Sequence, residues 1–178
     1  MSSPTQEMTV RHRACRRRRE GVEVDITSLV RAIENLKAED AFPLRLNAAQ
    51  WSRLGQAMVR RELATGDLLI RRGDRERVAY LLEDGTLQVF VTGGPPGSHR
   101  IARLRAGSIV GEPGLFIDAA RMASVEAMTP CVVWSLTNDK LDALAADEPK
   151  IVLALLHAAG CVMAVRMRAN LERGIPMT

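Results

Sequence analysis

The residues best suited to chemistry lie in one stretch, residues 107–125, which reads GSIVGEPGLFIDAARMASV. Gly111 and Gly114 let the backbone approach a ligand closely, and a helical turn that begins at Gly114 presents free N–H groups to an anion. Arg121 follows seven residues later, so the chain can return and place its guanidinium fork over phosphate oxygens at that turn. Glu112 adds an acceptor for a sugar hydroxyl. The stretch therefore predicts an anion site with a sugar-binding carboxylate.

Other chemistry has little support in the sequence. The three histidines and three cysteines lack the spacing of metal ligands and of nucleophile–base arrangements: His12, His99, His157, Cys15, Cys131 and Cys161. We therefore expect no enzyme activity, no metal and no cofactor. An odd number of cysteines without a C-x-x-C pair indicates reduced thiols in a cytoplasmic protein, with Cys131 and Cys161 as buried small hydrophobes.

The net charge of +4 belongs to the N-terminal end of the chain. Residues 1–20 hold six arginines and two glutamates, and the rest of the chain is balanced. We expect two parts, a basic tail without regular structure over 1–24 and one domain over 25–178. Screened tail charges bind nucleic acid weakly and without sequence choice, so no specific DNA binding is expected. Nucleic-acid binding through the tail stays open as an alternative, although 3% aromatic residues argue against a stacking platform.

The order of periodic segments predicts a mainly β fold, a jelly-roll-like antiparallel β-barrel (β-roll) flanked by N- and C-terminal helices. Helical spacing covers 25–36, with Asp25 as N-cap, and 47–58, with Asn47 as N-cap. After the strands, Thr137 or Asn138 caps a third helix, and a long helix runs from about 148 to 172 with Pro149 in its first turn. Short strands between glycine-bearing turns are predicted at 59–63, 68–71, 78–82, 86–91, 99–104, 123–128 and 131–136.

The last helix is apolar nearly all round in its first half. Its longest apolar run, 151–165, is interrupted by His157 and Gly160 and is too short for a bilayer, so no membrane span is expected. Two interpretations remain open. The helix closes over the barrel, or Ala158, Ala159 and Gly160 permit the close approach of a second copy in a homodimer.

The stretch V-G-E-P-G-L, followed after a spacer by R-M-A, resembles the phosphate-binding cassette of the cyclic-nucleotide-binding domain family. The family pattern is roughly F-G-E-(L/M)-(A/G)-L, a spacer, then R-(A/S/T)-A, and the resemblance covers about residues 26–172. It implies that Glu112 accepts a hydrogen bond from the ribose 2′-hydroxyl and that Arg121 pairs with the cyclic phosphate. It also implies that the N–H groups of Gly114 and Met122 donate to phosphate oxygens and that Gly111 lies against the sugar.

The resemblance places the base between the barrel and the last helix, near Val162 or Arg166–Met167. Two departures bear on binding: Pro113 removes one backbone donor, and Met122 offers no hydroxyl, which favours cyclic AMP over cyclic GMP. The predicted nucleotide-binding residues are Gly111, Glu112, Pro113, Gly114, Arg121, Met122, Ala123 and Arg166.

The sequence thus predicts a stand-alone cyclic-nucleotide sensor in signal transduction that acts through an effector protein. Only residues 174–178 follow the last helix, so no DNA-binding helix-turn-helix is expected. The alternative is a ligand-free scaffold domain for protein contacts, in which Glu112 and Arg121 form a structural ion pair.

Overall fold

The computed structural model describes residues 24–91 and 100–172. The predictions for the basic tail, Cys15, His12 and His99 fall outside these residues. A short 3-10 helix, Glu112–Leu115, separates β6 from β7. In chain order the described elements are α1 Thr27–Asn35, α2 Ala48–Ala57, β1 Val59–Leu63, β2 Leu68–Ile70, β3 Val78–Asp84, β4 Thr86–Phe90, β5 Arg100–Arg105, β6 Ile109–Val110, β7 Ser124–Ala127, β8 Cys131–Thr137, α3 Asn138–Asp147 and α4 Pro149–Glu172.

The strands form two four-stranded antiparallel sheets in the orders β1-β8-β3-β6 and β2-β7-β4-β5. Several neighbours in each sheet are distant in sequence, as in a jelly roll. The predicted β-roll with flanking helices is confirmed. In the first sheet β3 pairs with β6, and Tyr80 lies opposite Val110. This pairing fixes the point at which the chain enters the 3-10 helix.

The predicted strands agree with the observed ones to within two residues at each end, apart from β6. With two residues, Ile109 and Val110, β6 is too short to show alternation in the sequence.

Two glycines with positive φ bring elements together where a side chain has no room. Gly85 joins β3 to β4 at φ +92°, and a Cβ there would lie 2.4 Å from the carbonyl oxygen of Pro130. Gly107 also has φ +92°, and a Cβ there would lie 2.4 Å from the carbonyl oxygen of Ala32 in α1. The chain that leads into β6 therefore lies directly against α1.

The helix caps follow the sequence with one exception. Asn47 caps α2 in a capping box with Gln50, and Thr137 caps α3 by accepting a hydrogen bond from the Lys140 N–H at 3.4 Å. The prediction that Asp25 is the N-cap of α1 is wrong, because the helix begins one residue later and Ile26 occupies that position. The Asp25 carboxylate still accepts a hydrogen bond from the Thr27 N–H at 3.0 Å.

Helix α4 buries one face against the rest of the domain. The helix has 24 residues and is long and apolar enough to cross a membrane, whereas the sequence analysis considered only the apolar run 151–165. Of its most apolar 18 residues, 33% are buried inside the fold. It packs against α3 and the 3-10 helix, as the closing helix of a domain does. The buried residues are Ile151, Val152, Leu155, Ala158, Ala159 and Val162.

The core has two parts. One lies between the helices and the first sheet and includes Trp51, Trp134 and Leu155; the other fills the barrel and includes Tyr80 and Val133. Strand β6 borders both parts, since Ile109 belongs to the first and Val110 to the second.

One cysteine prediction is right and one is wrong. Cys131 is buried in the barrel, whereas Cys161 is exposed. Cys161 precedes the buried Val162, and one residue along a helix turns a side chain by roughly 100° to the outer face.

Candidate functional site

The segment between β6 and β7 is a tight turn that begins at a glycine. Gly111 adopts φ +77°, a conformation that favours glycine, and caps the 3-10 helix that follows. The Gly114 N–H donates to the carbonyl oxygen of Gly111 at 3.1 Å. Pro113 lies in the first turn of this helix, where its missing N–H removes no helical hydrogen bond.

Arg121 returns over this turn, as its spacing predicts. Its Nη1 donates to the carbonyl oxygen of Gly111 at 2.9 Å, and its Nη2 donates to the carbonyl oxygen of Val78. A Cβ at Gly114 would lie 2.9 Å from Nη1, and one at Gly111 would lie 3.2 Å from it. Both glycines therefore leave the space that the guanidinium occupies.

Two backbone hydrogen bonds hold Arg121 in place. Its N–H donates to the carbonyl oxygen of Asp74 at 2.8 Å, and its own carbonyl oxygen accepts from the Gly73 N–H at 2.9 Å. The turn between β2 and β3 thus positions the arginine through backbone hydrogen bonds.

The guanidinium of Arg121 forms no ion pair with a carboxylate of the described residues. Burial lowers the pKa of Arg121, and the nearby Tyr80, Glu76, Glu112 and Asp74 oppose that effect. A guanidinium keeps its proton under such conditions. The turn therefore holds a half-buried positive charge that is bonded to neutral carbonyls.

Glu112 is buried and pairs with Arg166, not with Arg121. Arg166 reaches from α4, and its Nη1 donates to Glu112 Oε1 at 2.9 Å and to the carbonyl oxygen of Ile109 at 3.0 Å. Its Nε donates to Asp40 Oδ2 at 2.8 Å. The alternative of an ion pair between Glu112 and Arg121 is thus not what the structure shows. We call Glu112, Arg166 and Asp40 the carboxylate–arginine bridge.

The structure brings most of the predicted site residues together. Gly111, Glu112, Pro113, Gly114 and Arg121 share one turn, and Arg166 joins them through Glu112.

The remaining predicted residues lie less close to that turn. Ala123 is half-buried, whereas Met122 is 67% exposed. Val162 is buried in the helical part of the core, and Met167 is 46% exposed.

Sequence reasoning missed Asp40 and the carbonyl of Val78. Asp40 lies 126 residues before Arg166, and a backbone carbonyl leaves no signal in the side-chain pattern.

The site offers binding groups: a fixed cation, a buried carboxylate and a second arginine on a helix. Within residues 24–91 and 100–172, no group of three His, Cys, Asp or Glu side chains is arranged to hold a metal ion.

Comparison with known proteins agrees with this geometry. The model of the family "Cyclic nucleotide-binding domain" matches residues 60–148, half of the chain, including the turn and Arg121. A cAMP-dependent protein kinase regulatory subunit of Blastocladiella emersonii is 33% identical over 91 residues, which are 51% of this chain and 23% of that protein. Acetyltransferase Pat of Mycolicibacterium smegmatis is 37% identical over 81 residues, 44% of this chain and 23% of that protein. The chain thus spans about a quarter of these relatives.

Solved structures extend the likeness to the helices. A cyclic nucleotide-binding domain from Methylobacillus flagellatus KT superposes with a TM-score of 0.70 at 23% identity, covering 85% of this chain and 83% of that one. The catabolite activator protein of Thermus thermophilus superposes with a TM-score of 0.62 at 26% identity, covering 73% of this chain and 60% of that one. The first likeness concerns the fold alone.

Three observations support the same family: the turn that holds Arg121, the roll of two four-stranded sheets, and the match to the family model. The family supplies regulatory binding domains rather than catalytic ones, although some relatives carry the domain beside an enzyme. The chain belongs to the cyclic-nucleotide-binding domain family.

Proposed function

We propose that this chain binds a 3′,5′-cyclic nucleotide reversibly between the 3-10 turn and α4. The observation that carries the proposal is the state of Arg121. It is a half-buried cation, held by the carbonyls of Gly111 and Val78, and it pairs with no carboxylate of the described residues. A half-buried cation without a directly paired carboxylate is costly, and a phosphate group supplies such a partner in the geometry that a guanidinium prefers.

In this proposal each group of the turn has a role. Arg121 binds the cyclic phosphate, with the N–H groups of Gly114 and Met122 as further donors, and Gly111 lies against the sugar. The Gly114 N–H is engaged at 3.1 Å with Gly111, so it must share or exchange that bond when phosphate binds. Glu112 accepts a hydrogen bond from the ribose 2′-hydroxyl, and the base lies near Arg166.

We further propose that the nucleotide is cyclic AMP. Met122 carries no hydroxyl that could favour guanine, and a relative at 33% identity is named for its dependence on cAMP. The chain would have no cofactor or catalytic centre of its own and would act in the cytoplasm through an effector protein. A ligand that contacts both the turn and α4 stabilises the arrangement in which the two meet.

A second copy of the chain is the proposed partner of the outer face of α4. Ala158 and Ala159, which were expected to permit its approach, are instead buried inside the fold, and of the three small residues only Gly160 lies on this face. Six residues of this face, which we call the outer stripe, lie alternately four and three positions apart, the spacing of a coiled-coil seam: Leu153, His157, Gly160, Ala164, Met167 and Leu171. Leu153 is 70% exposed and Leu171 is 57% exposed, so the stripe is open to a partner over nearly the whole helix.

One observation favours the scaffold alternative. Arg166 already satisfies Glu112, which is the acceptor proposed for ribose, and this contact joins α4 to the turn. A scaffold would use this bridge only to hold α4 against the barrel.

Thermal unfolding separates the two functions. We would heat the protein alone and with cyclic AMP, cyclic GMP or non-cyclic AMP at about 100 times the dissociation constant, where a ligand stabilises the fold by about 2.7 kcal/mol. A sensor shows a rise in melting temperature with a cyclic nucleotide and little with AMP. A scaffold shows no rise with any of the three.

A further inference from the structure

A second arginine, Arg77, contacts the turn between β6 and β7 and has no role in the proposed function. It directly precedes β3, it is half-buried, and its Nε donates to the carbonyl oxygen of Gly114 at 3.4 Å. The last carbonyl groups of a helix have no partner inside it, and Gly114 is the third of the four residues of this 3-10 helix. Arg77 therefore supplies a donor to the same residue whose N–H is proposed to bind phosphate.

The other end of the Arg77 guanidinium lies at the start of α3. With the amide of Asn138 turned so that its oxygen faces the arginine, Oδ1 accepts from Nη2 at 2.8 Å and from Nη1 at 3.3 Å. The surroundings require this orientation, because the reverse sets the amide nitrogen against donors only. The backbone joins the same two residues, since the Asn138 N–H donates to the carbonyl oxygen of Arg77 at 3.0 Å. One planar group thus connects Gly114 to the first residue of α3.

The start of β3 holds both arginines that contact the turn. Val78 follows Arg77, and its carbonyl oxygen accepts from Nη2 of Arg121. Arg121 holds the beginning of the turn through Gly111, at 2.9 Å. Arg77 holds the turn near its end through Gly114. The guanidinium proposed to bind phosphate and the residue proposed to offer its N–H are therefore both fixed to two adjacent residues, Arg77 and Val78.

We propose that Arg77 is a positioning residue for the cyclic nucleotide, which holds Gly114 in place for the phosphate and links the turn to α3. The inference rests on the proposed function. The Gly114 N–H must share or exchange its bond to Gly111 when phosphate binds, and a guanidinium on the carbonyl of Gly114 limits how far the residue can turn. Phosphate on the turn then favours the arrangement in which Arg77 is bonded to both Gly114 and Asn138. The nucleotide thereby stabilises the first turn of α3.

Calorimetry with cyclic AMP tests the positioning role. Arg77→Met keeps the length of the side chain and removes its donors. Arg77→Lys keeps the positive charge but has a single nitrogen, which cannot replace the separate contacts to Gly114 and Asn138. We expect affinity to fall about 3- to 10-fold in both variants, the equivalent of one hydrogen bond. Arg75→Met is the matched control: Arg75 lies two residues earlier, its side chain is 71% exposed, and the change should leave affinity unchanged.

Hydrogen exchange at saturating cyclic AMP tests the link to α3. In the wild type the nucleotide should slow exchange of the amides of residues 112–117 and of residues 138–141. In Asn138→Ala, which keeps the Thr137 cap of α3, the slowing at 138–141 should be largely lost while that at 112–117 persists, because Arg77 still reaches Gly114.

Each outcome decides the inference. Wild-type affinity in both Arg77 variants would overturn it and leave the proposed function standing. Reduced affinity in Arg77→Met with wild-type affinity in Arg77→Lys would show that Arg77 acts through its charge alone, which also overturns it. Equal slowing at 138–141 in the wild type and Asn138→Ala would remove the link to α3. A wild-type protein that binds no cyclic nucleotide would overturn both proposals. Thermal unfolding identifies any variant that fails to fold, and Arg77→Lys, the milder change, then decides.

Discussion

Replacing Arg121 by alanine tests the site at its centre. In the unliganded fold the change removes two hydrogen bonds to carbonyls, but Gly111 keeps the N–H of Gly114 as its donor. We expect the fold to lose about 1–3 kcal/mol and to persist. In the bound state the change removes the guanidinium from the phosphate. Two charge-assisted hydrogen bonds at about 1.5 kcal/mol each amount to about 3 kcal/mol, or about 150-fold in affinity.

The assay is the melting temperature with and without cyclic AMP. At a concentration of about 100 times the wild-type dissociation constant, stabilisation should fall from about 2.7 kcal/mol to about 0.3 kcal/mol. For a domain of this size that is a change from about 5–10 °C to about 1 °C. Arg103→Ala is the control, since Arg103 is an exposed arginine on β5. Arg121→Lys keeps the charge without the fork and should give an intermediate shift. A full shift in folded Arg121→Ala would refute the assignment of Arg121 to phosphate.

Three further changes have defined outcomes. Gly114→Ala places a Cβ 2.9 Å from Arg121 Nη1 and must displace that guanidinium. The affinity for cyclic AMP measured by calorimetry should therefore fall, and the fold should lose no more stability than in Arg121→Ala; an unchanged affinity would contradict the geometry. Burial raises the pKa of Tyr80, so its contribution to stability is present below about pH 10 and is lost as pH rises further. The free energy of unfolding measured in urea should therefore fall with pH above about 10 in the wild type and not in Tyr80→Phe. The same pH dependence in both proteins would contradict this expectation. Leu153→Glu should convert a dimer to a monomer in sedimentation, whereas Ala143→Glu on the exposed side of α3 should not; a wild-type monomer at high concentration would remove the dimer proposal.

The sequence was most informative where local chemistry decides the structure. The alternation of apolar and polar side chains identified β4. Asn47 marked the start of α2, and the pair Thr137 or Asn138 marked the start of α3, because a cap is satisfied within three residues. The glycines of the turn and Arg121 could be placed together because the arginine lies only seven positions after Gly114. The family pattern then gave these residues their expected roles.

Long-range contacts were beyond the sequence. The bridge joins Glu112 to Arg166 across 54 residues and Arg166 to Asp40 across 126, and no periodicity links positions so far apart. The carbonyl of Val78 that binds Arg121 is backbone, so any residue type there could supply it. Strand β6 was missed because two residues carry no pattern. Cys161 was misplaced because an almost uniformly apolar helix does not show from its sequence which side faces outward.

The balance of charge in the site bears on which phosphate it accepts. Arg166 binds both Glu112 and Asp40, so two negative charges of the bridge are associated with one arginine. Arg121 lies beside them without a carboxylate partner of its own among the described residues. A cyclic phosphodiester brings one negative charge, which matches Arg121, whereas a phosphate monoester brings about 1.5 to 2 at neutral pH. The additional charge of non-cyclic AMP would lie near the buried carboxylate of Glu112, where repulsion is poorly screened. We therefore expect the bridge that holds α4 in place to favour the cyclic form of the nucleotide over its hydrolysed product.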